Sequence, residues 1–468
     1  MNILLIAPAS GYWHHVGRRK YFNGKTFRFS MLSLLAVAAE SPPDVNIRIV
    51  DEQVDEVPWE DPFDLIGITC MTAAAPRAYE IADHFRKRSI PVVLGGMHPT
   101  FCPEEAGRHA DAIVRGEAEG LWCDVVEDVR NRCLKRIYRN SVPPVLHGLK
   151  HPPWHLLAGD KYGTIHAVQA TRGCPNLCEF CSISAFHKGI HRQRPVQEVV
   201  VEVAKIPSRF FIFIDDNLTA DVQYAKQLFS ALIPLRKRWV TQATIAIADD
   251  LELVKLAASA GCAGIFIGLE TFSERNLEVV NKEFNRVQKY REAIAILHAH
   301  GIGVEAGIVF GFDHDDPHVF ERTLNMMDSL QIDAAQISIF TPLPGTPRFN
   351  SMKDRIIDSE WSHYDFHHTV FMPDNMSAQD LKDGHDWVTH RFYSLGRIIR
   401  RAWRFMWRPK GLSTLLFFIS VNLAYFSRIR AWGIKGNNPI YPRKAGSRSR
   451  NDVLFDRHYG LMLRLPSD

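Results

Sequence analysis

The chain has 468 residues, too many for one ordinary core, so length alone suggests about three domains. With 46% hydrophobic and 23% charged residues and no low-complexity tract, its composition is that of a folded soluble protein. The net charge of +4 lends no support to a general nucleic-acid role, and eight cysteines, three in one motif and five scattered, make no disulfide framework.

The opening run Met1-Asn2-Ile3-Leu4-Leu5-Ile6-Ala7-Pro8 is apolar, short and without a basic leader, so it reads as a first strand rather than a signal peptide. Residues 1–135 then alternate strand and helix patterns. Strands are expected at 2–7, 46–50, 64–69, 91–95 and 111–115, and helices around 29–40, 76–87 and 119–130. Continuous apolar strands separated by helices predict a Rossmann-like parallel sheet covered on both faces. Such sheets bind ligands at the carboxyl ends of their strands. The turn residues gather there: Thr69-Cys70-Met71-Thr72, Gly95-Gly96-Met97-His98-Pro99-Thr100 and Arg115-Gly116-Glu117. Glycines let a large ligand approach the backbone, although Gly95 and Gly96 equally suit a simple tight turn.

Residues 136–160 carry Pro143, Pro144, Pro152 and Pro153 and predict a linker. The β–α rhythm resumes over 161–350, with strands expected at 165–171, 210–214, 242–247, 264–269, 304–310 and 335–340. Six such units predict a partial (β/α)6 barrel with its active site at the strand C-termini.

The loop after the first of these strands holds Cys174, Cys178 and Cys181 in the spacing C-x3-C-x2-C. Three thiolates so close can hold three irons of a [4Fe-4S] cluster and leave the fourth iron open. Zinc is the alternative, but it wants four ligands, and the nearest candidates, His187 and His191, lack a partner pair. Cluster cysteines and free thiols both fit a reducing cytoplasm. Asp215 and Asp216 end the next strand, where carboxylates also serve as helix caps.

Residues 351–468 form a mainly helical C-terminal region expected to contact substrate or membrane. Its stretch 391–410 sets Arg391, Arg397, Arg400, Arg401, Arg404 and Arg408 among aromatic residues. A charge-free run over 411–427 follows. It suits a packed helix, an interfacial helix or a membrane span, the last weakened by Asn422.

These residues together resemble radical S-adenosylmethionine (SAM) enzymes that carry an N-terminal cobalamin-binding domain. The resemblance covers the chain from Met1 to about Phe371, and the cysteine motif is its most specific part. Phe213-Ile214-Asp215-Asp216-Asn217, Gly268-Leu269-Glu270-Thr271 and Gly307-Ile308-Val309-Phe310-Gly311-Phe312 are similar to the runs that flank SAM. Thr341-Pro342-Leu343-Pro344-Gly345-Thr346-Pro347 is typical of the cobalamin-linked branch. The resemblance implies Cys174, Cys178 and Cys181 as cluster ligands and Glu270, Asp216 and Asn217 as SAM contacts. It implies Thr72, Gly95, Gly96, His98 and Gly116 as cobalamin contacts. The D-x-H-x-x-G motif of many cobalamin proteins is absent from 1–135, which leaves the lower face of the corrin unassigned.

The activity implied begins with one-electron cleavage of SAM to methionine and a 5′-deoxyadenosyl radical, which takes hydrogen from an unactivated substrate carbon. Methylcobalamin then supplies a methyl group and a second SAM restores it. The substrate expected is a hydrophobic small molecule such as an isoprenoid, a tetrapyrrole or a membrane lipid. The partners expected are an electron donor of the flavodoxin or ferredoxin type and a peripheral membrane contact through the C-terminal region, and no nucleic acid is expected. An oxidative cyclase of tetrapyrrole biosynthesis shares the same sequence plan. A transfer-RNA methylthiotransferase shares the barrel, but Cys70, Cys102, Cys123 and Cys133 lie far apart in sequence and no small C-terminal β module is evident. A cobalamin-binding sensor with a vestigial barrel is the non-catalytic alternative, against which the intact cysteine set argues.

Overall fold

In the computed structural model of the chain, residues 1–10, 26–29, 31–164, 166–408 and 411–431 are described. The expectations placed on residue 165, on Lys410 and on 432–468 fall outside them. The opening apolar run is strand β1 (Asn2–Ala7), whose side chains alternate into two cores: Ile3 and Leu5 face one, Leu4 and Ile6 the other. Burial on both sides explains the unbroken apolar sequence. β1 pairs in parallel with β3 (Asn46–Asp51) and β4 (Leu65–Thr69). β5 (Val92–Gly95), β6 (Ala112–Arg115) and β7 (Ile137–Arg139) complete a six-stranded sheet in the order β3-β1-β4-β5-β6-β7. The last strand lies within the stretch expected to be linker. It pairs Ile137 with Ile113, and its exposed Ile137 and Arg139 around a buried Tyr138 gave too short an alternation to stand out.

The second sheet is also six-stranded and parallel. It comprises β9 (Ala167–Val168), β12 (Phe210–Phe213), β13 (Arg238–Ala243), β14 (Cys262–Glu270), β15 (Gly303–Phe310) and β16 (Ala334–Ile339), with β9 and β16 at its edges. The barrel is therefore open, as expected. Its third strand starts four residues before the expected 242–247, and Ile245–Asp249 is a 3-10 turn instead. Val240, Thr241 and Gln242 of β13 border a cavity and only Trp239, Thr241 and Ala243 are buried, so Arg238, Thr241 and Gln242 break up the apolar pattern. Meanwhile the denser Ile245 and Ile247 anchor the turn in the core.

The expected strand 165–171 is also divided. β9 stays in the barrel, whereas β10 (Thr171–Arg172) turns out to pair antiparallel with β11 (Arg192–Gln193). A small parallel pairing of β2 (Thr26–Phe29) with β8 (Tyr162–Thr164) joins the N-terminal region to the segment entering the barrel. The domains also share apolar packing: Ala167 and Ile212 of the barrel belong to one cluster with Leu5, Leu32, Val114 and Trp122.

The C-terminal region places three helices, Ala378–Phe392, Leu395–Met406 and Gly411–Ala431, against the barrel. Ser377 and Asp380 close the start of the first with a reciprocal capping box. Among the described residues no helix is long and apolar enough to cross a membrane. The charge-free run packs instead: Asn422 is buried, accepts from Arg401 at 2.8 Å and donates to the Asp333 carbonyl at 3.2 Å. Tyr425 donates to Glu305 inside the barrel at 2.8 Å.

Candidate active site

The cysteine loop runs from β10 into the helix Ser182–His187 and is held by backbone and side-chain bonds on every side. Glu179 N donates to Val280 O at 3.1 Å, Asn281 Nδ2 to Leu177 O at 2.9 Å and Ser184 Oγ to Asn176 O at 2.8 Å. Gly173 enters the loop at φ +83°, with Ile190 O where a Cβ would lie, so only glycine fits. Behind the loop, the Asp215 carboxylate accepts from Ala170 N at 3.0 Å and from both the backbone N and the hydroxyl of Thr171. Asp216 accepts from Gly173 N at 2.8 Å. Neither carboxylate caps a helix; Asp221 does so for Val222–Leu232.

None of the three motif cysteines is in a disulfide. Burial pushes the Cys178 thiol up to about 12, with Lys282 opposing and the neighbouring thiols adding to the rise. Cys174 is also raised by burial, while Asn217 Nδ2 donates to its sulfur at 3.8 Å. Among the described residues no three His, Cys, Asp or Glu side chains converge on a single ion. A four-iron cluster would ask for something else, one thiolate for each of three irons rather than three on one ion. Three adjacent thiols on a braced loop, with a lysine ammonium beside them, suit that anionic ligand.

At the barrel mouth, a register shift between Gly268 and Glu270 inserts a β-bulge at the end of β14. Bulges re-aim side chains next to active sites. Glu270 consequently sits at φ +63°, is buried, and pairs with Lys282 Nζ at 2.5 Å. Burial works to lower the Lys282 ammonium, but Glu270 and the cluster thiols hold it above its ordinary value. Gly268 leaves the room this pair needs, since a Cβ there would strike the Glu270 carboxylate.

The turns of the first domain border two cavities. The smaller, about 320 Å³, is lined by Gly95, Gly96, Gly116 and Trp122, and by Asp216 from the barrel. Gly116 has φ +89° and nothing within 4 Å of a Cβ position, which leaves a cradle of exposed backbone. Gly96 is needed for the opposite reason, because its Cβ would fall 2.9 Å from Cys70 O. The larger cavity, about 690 Å³, lies where Thr72, Gly96 and Met97 meet Ser182, Gln336 and Tyr425. Thus Thr72, Gly95, Gly96 and Gly116 face open space able to admit a large cofactor. His98 does not line either cavity. Its ring is fully buried, with Nε2 at 3.0 Å from the Tyr79 hydroxyl and Nδ1 at 3.4 Å from Thr72 Oγ1. Burial keeps its pKa below the ordinary value. Asn217 and Glu270 lie outside the cavity walls, on the barrel side.

Between the domains, Arg172 of the cluster loop bridges Glu117 at 2.7 Å and Glu119 at 2.6 Å, and Arg192 adds a second bond to Glu117 at 2.7 Å. Against the upward push of burial, Arg172 holds the Glu119 carboxyl below its usual range. On the far side Trp361 donates to Glu105 at 2.9 Å, and the Phe101 ring fills the space beside Gly345. Sequence reasoning missed Lys282, Arg172, Glu117 and Glu119. Only the Arg-Gly pair preceding the cysteines and the charges after Gly116 hinted at the last three, and nothing marked Lys282.

Comparison with known proteins agrees with this architecture. The sequence profile of the radical SAM superfamily matches residues 168–327, and that of the B12 binding domain matches residues 33–126. The chain is 28% identical to the bacteriochlorophyllide d C-12(1)-methyltransferase of Chlorobaculum tepidum, over 79% of this chain and 84% of the relative. It is 30% identical to the bacteriochlorophyllide d C-8(2)-methyltransferase of the same organism, over 73% and 81%. In fold it follows the cobalamin-dependent S-adenosylmethionine radical enzyme OxsB, solved with aqua-cobalamin and SAM, at a TM-score of 0.65 and 12% identity over 100% of this chain and 82% of that one. The chain belongs to the radical SAM enzymes with an N-terminal cobalamin-binding domain, whose cofactors are a [4Fe-4S] cluster, SAM and cobalamin.

Proposed function

We propose that this enzyme methylates an unactivated carbon of a hydrophobic small molecule, and that the molecule is a tetrapyrrole. The observation that carries the reading is the cavity of about 690 Å³ walled by the first domain's turns, the barrel strand β16 and the C-terminal helices together. Its apolar wall includes Met71, Met97, Phe101, Phe186 and Leu343, a lining suited to a flat ring system. The relatives named as bacteriochlorophyllide methyltransferases support the choice of substrate class.

When bound, the cluster with SAM supplies a carbon-centred radical and the cobalamin supplies the methyl group. Cys174, Cys178 and Cys181 hold the cluster. Asp215 and Asp216 fix the backbone that presents them, and Asn217 donates to the Cys174 sulfur. Glu270, at the end of β14 and steadied by Lys282, would contact SAM. Gly95, Gly96, Gly116 and Thr72 would hold cobalamin, while His98 acts from behind them by fixing Thr72. Arg172 fixes the separation between the two cofactor sites.

A one-electron donor of the flavodoxin or ferredoxin class and contact of the C-terminal region with a membrane surface complete the reading. The test is anaerobic turnover of the reconstituted protein with methyl-labelled SAM and a chlorophyllide-type substrate, followed by mass spectrometry. One label per product supports the assignment. Oxidised or cyclised product without label would instead assign the cyclase chemistry.

A further inference from the structure

We infer that the outer face of the helix Leu395–Met406 docks the enzyme on an anionic lipid bilayer. This rests on the membrane-contact part of the reading above and is independent of the reaction. Ile399, Trp403, Met406 and Trp407 recur at helical spacing along one side. All four are exposed, Trp403 at 58% and Trp407 at 75%. Isolated exposed apolar residues are ordinary, but a contiguous aromatic and aliphatic face is not.

The face is presented rigidly. The opposite side of the helix buries Ile398, Arg401 and Phe405; Phe405 stacks on Phe418 at 4.7 Å and Arg401 is bonded to Asn422. Charge then selects the occupant. Arg397 and Arg408 are paired with Asp328 and Asp333 at the two ends of the helix. Arg400 and Arg404, which flank the tryptophans, take part in no ion pair among the described residues. Tryptophan settles at headgroup depth, and unpaired arginines beside it are drawn to anionic headgroups. A protein partner or a second copy would have to match both the apolar ridge and its cations, whereas an anionic bilayer does so without a shaped counterpart.

The experiment is vesicle flotation of the full chain with phosphatidylcholine alone and with phosphatidylcholine containing phosphatidylglycerol. The wild-type chain is expected to float with the anionic vesicles and to lose that binding in high salt. Trp403→Ser with Trp407→Ser should weaken partitioning about tenfold or more, and Arg400→Gln with Arg404→Gln should abolish the preference for anionic lipid. All four positions are exposed or half-buried, and an unchanged melting temperature will show that the variants fold. Absence of flotation by the wild type overturns membrane contact altogether. Flotation that the variants leave unchanged overturns only the assignment of this face. A dimer that dissociates in the tryptophan variant, without flotation, would give the face to a second copy and overturn the inference.

Discussion

Lys282 Nζ lies 2.5 Å from Glu270 Oε1, and the pair is seated against the Cα of Gly268, where an added methyl carbon would come within 3.0 Å of that ammonium. Both side chains are about nine-tenths buried, so neither charge has water to fall back on. Lys282→Ala should therefore cost about 3 kcal/mol in stability, because it strands the carboxylate. Guanidinium denaturation of the apoprotein reads this directly. Removing both partners, as Glu270→Gln with Lys282→Met, should recover most of the loss.

Gly268→Ala tests position rather than charge. The new methyl displaces the Glu270 carboxylate without touching the cysteine loop. Iron content should be unchanged, while SAM cleavage falls by about 100-fold, the scale of a misplacement near 1 Å. Equal loss of iron would show that the bulge supports the cluster instead.

Arg172 is the joint between the two cofactor regions. Arg172→Met leaves Glu117 with Arg192 and removes the Glu119 ion pair, at a cost of about 3 kcal/mol. Cobalamin affinity, measured by titration of the iron-loaded protein, should weaken as the Gly116 turn loosens. Unaltered affinity would confine Arg172 to stabilising the fold.

His98 supplies a pH signature. Burial depresses its pKa in the folded state, so the unfolded chain binds the proton first. Its contribution to stability is complete above about pH 6.5, the ordinary histidine value, and is lost as pH falls below it. The urea midpoint should thus decline from pH 7.5 to pH 5.5, and His98→Gln should flatten the decline while lowering the midpoint at pH 7.5.

The elements that the sequence shows most clearly are those buried on both sides. β1 and β4 are unbroken apolar runs of this kind, and they lie where their patterns predict; β14 and β15 border a cavity on one face but are long enough for their apolar residues to mark them. β13 lies earlier than its pattern predicts because Arg238, Thr241 and Gln242 break its apolar run, while the denser Ile245 and Ile247 belong to the turn that follows. β7 was hidden because an edge strand with one buried residue carries almost no periodic signal. At the site, the cysteines announce themselves by spacing, and Gly96 and Gly116 by their turns. Lys282 does not, since its role exists only once a bulge has aimed Glu270 at it. The inward turn of the His98 ring onto Tyr79 is equally invisible, because no linear pattern records that orientation.

The apolar cluster that holds Ala167 and Ile212 together with Leu5, Leu32 and Trp122 has a wider consequence. Neither half of this enzyme is a portable module. Cut between them, each would present to solvent the apolar side chains that now cover one another.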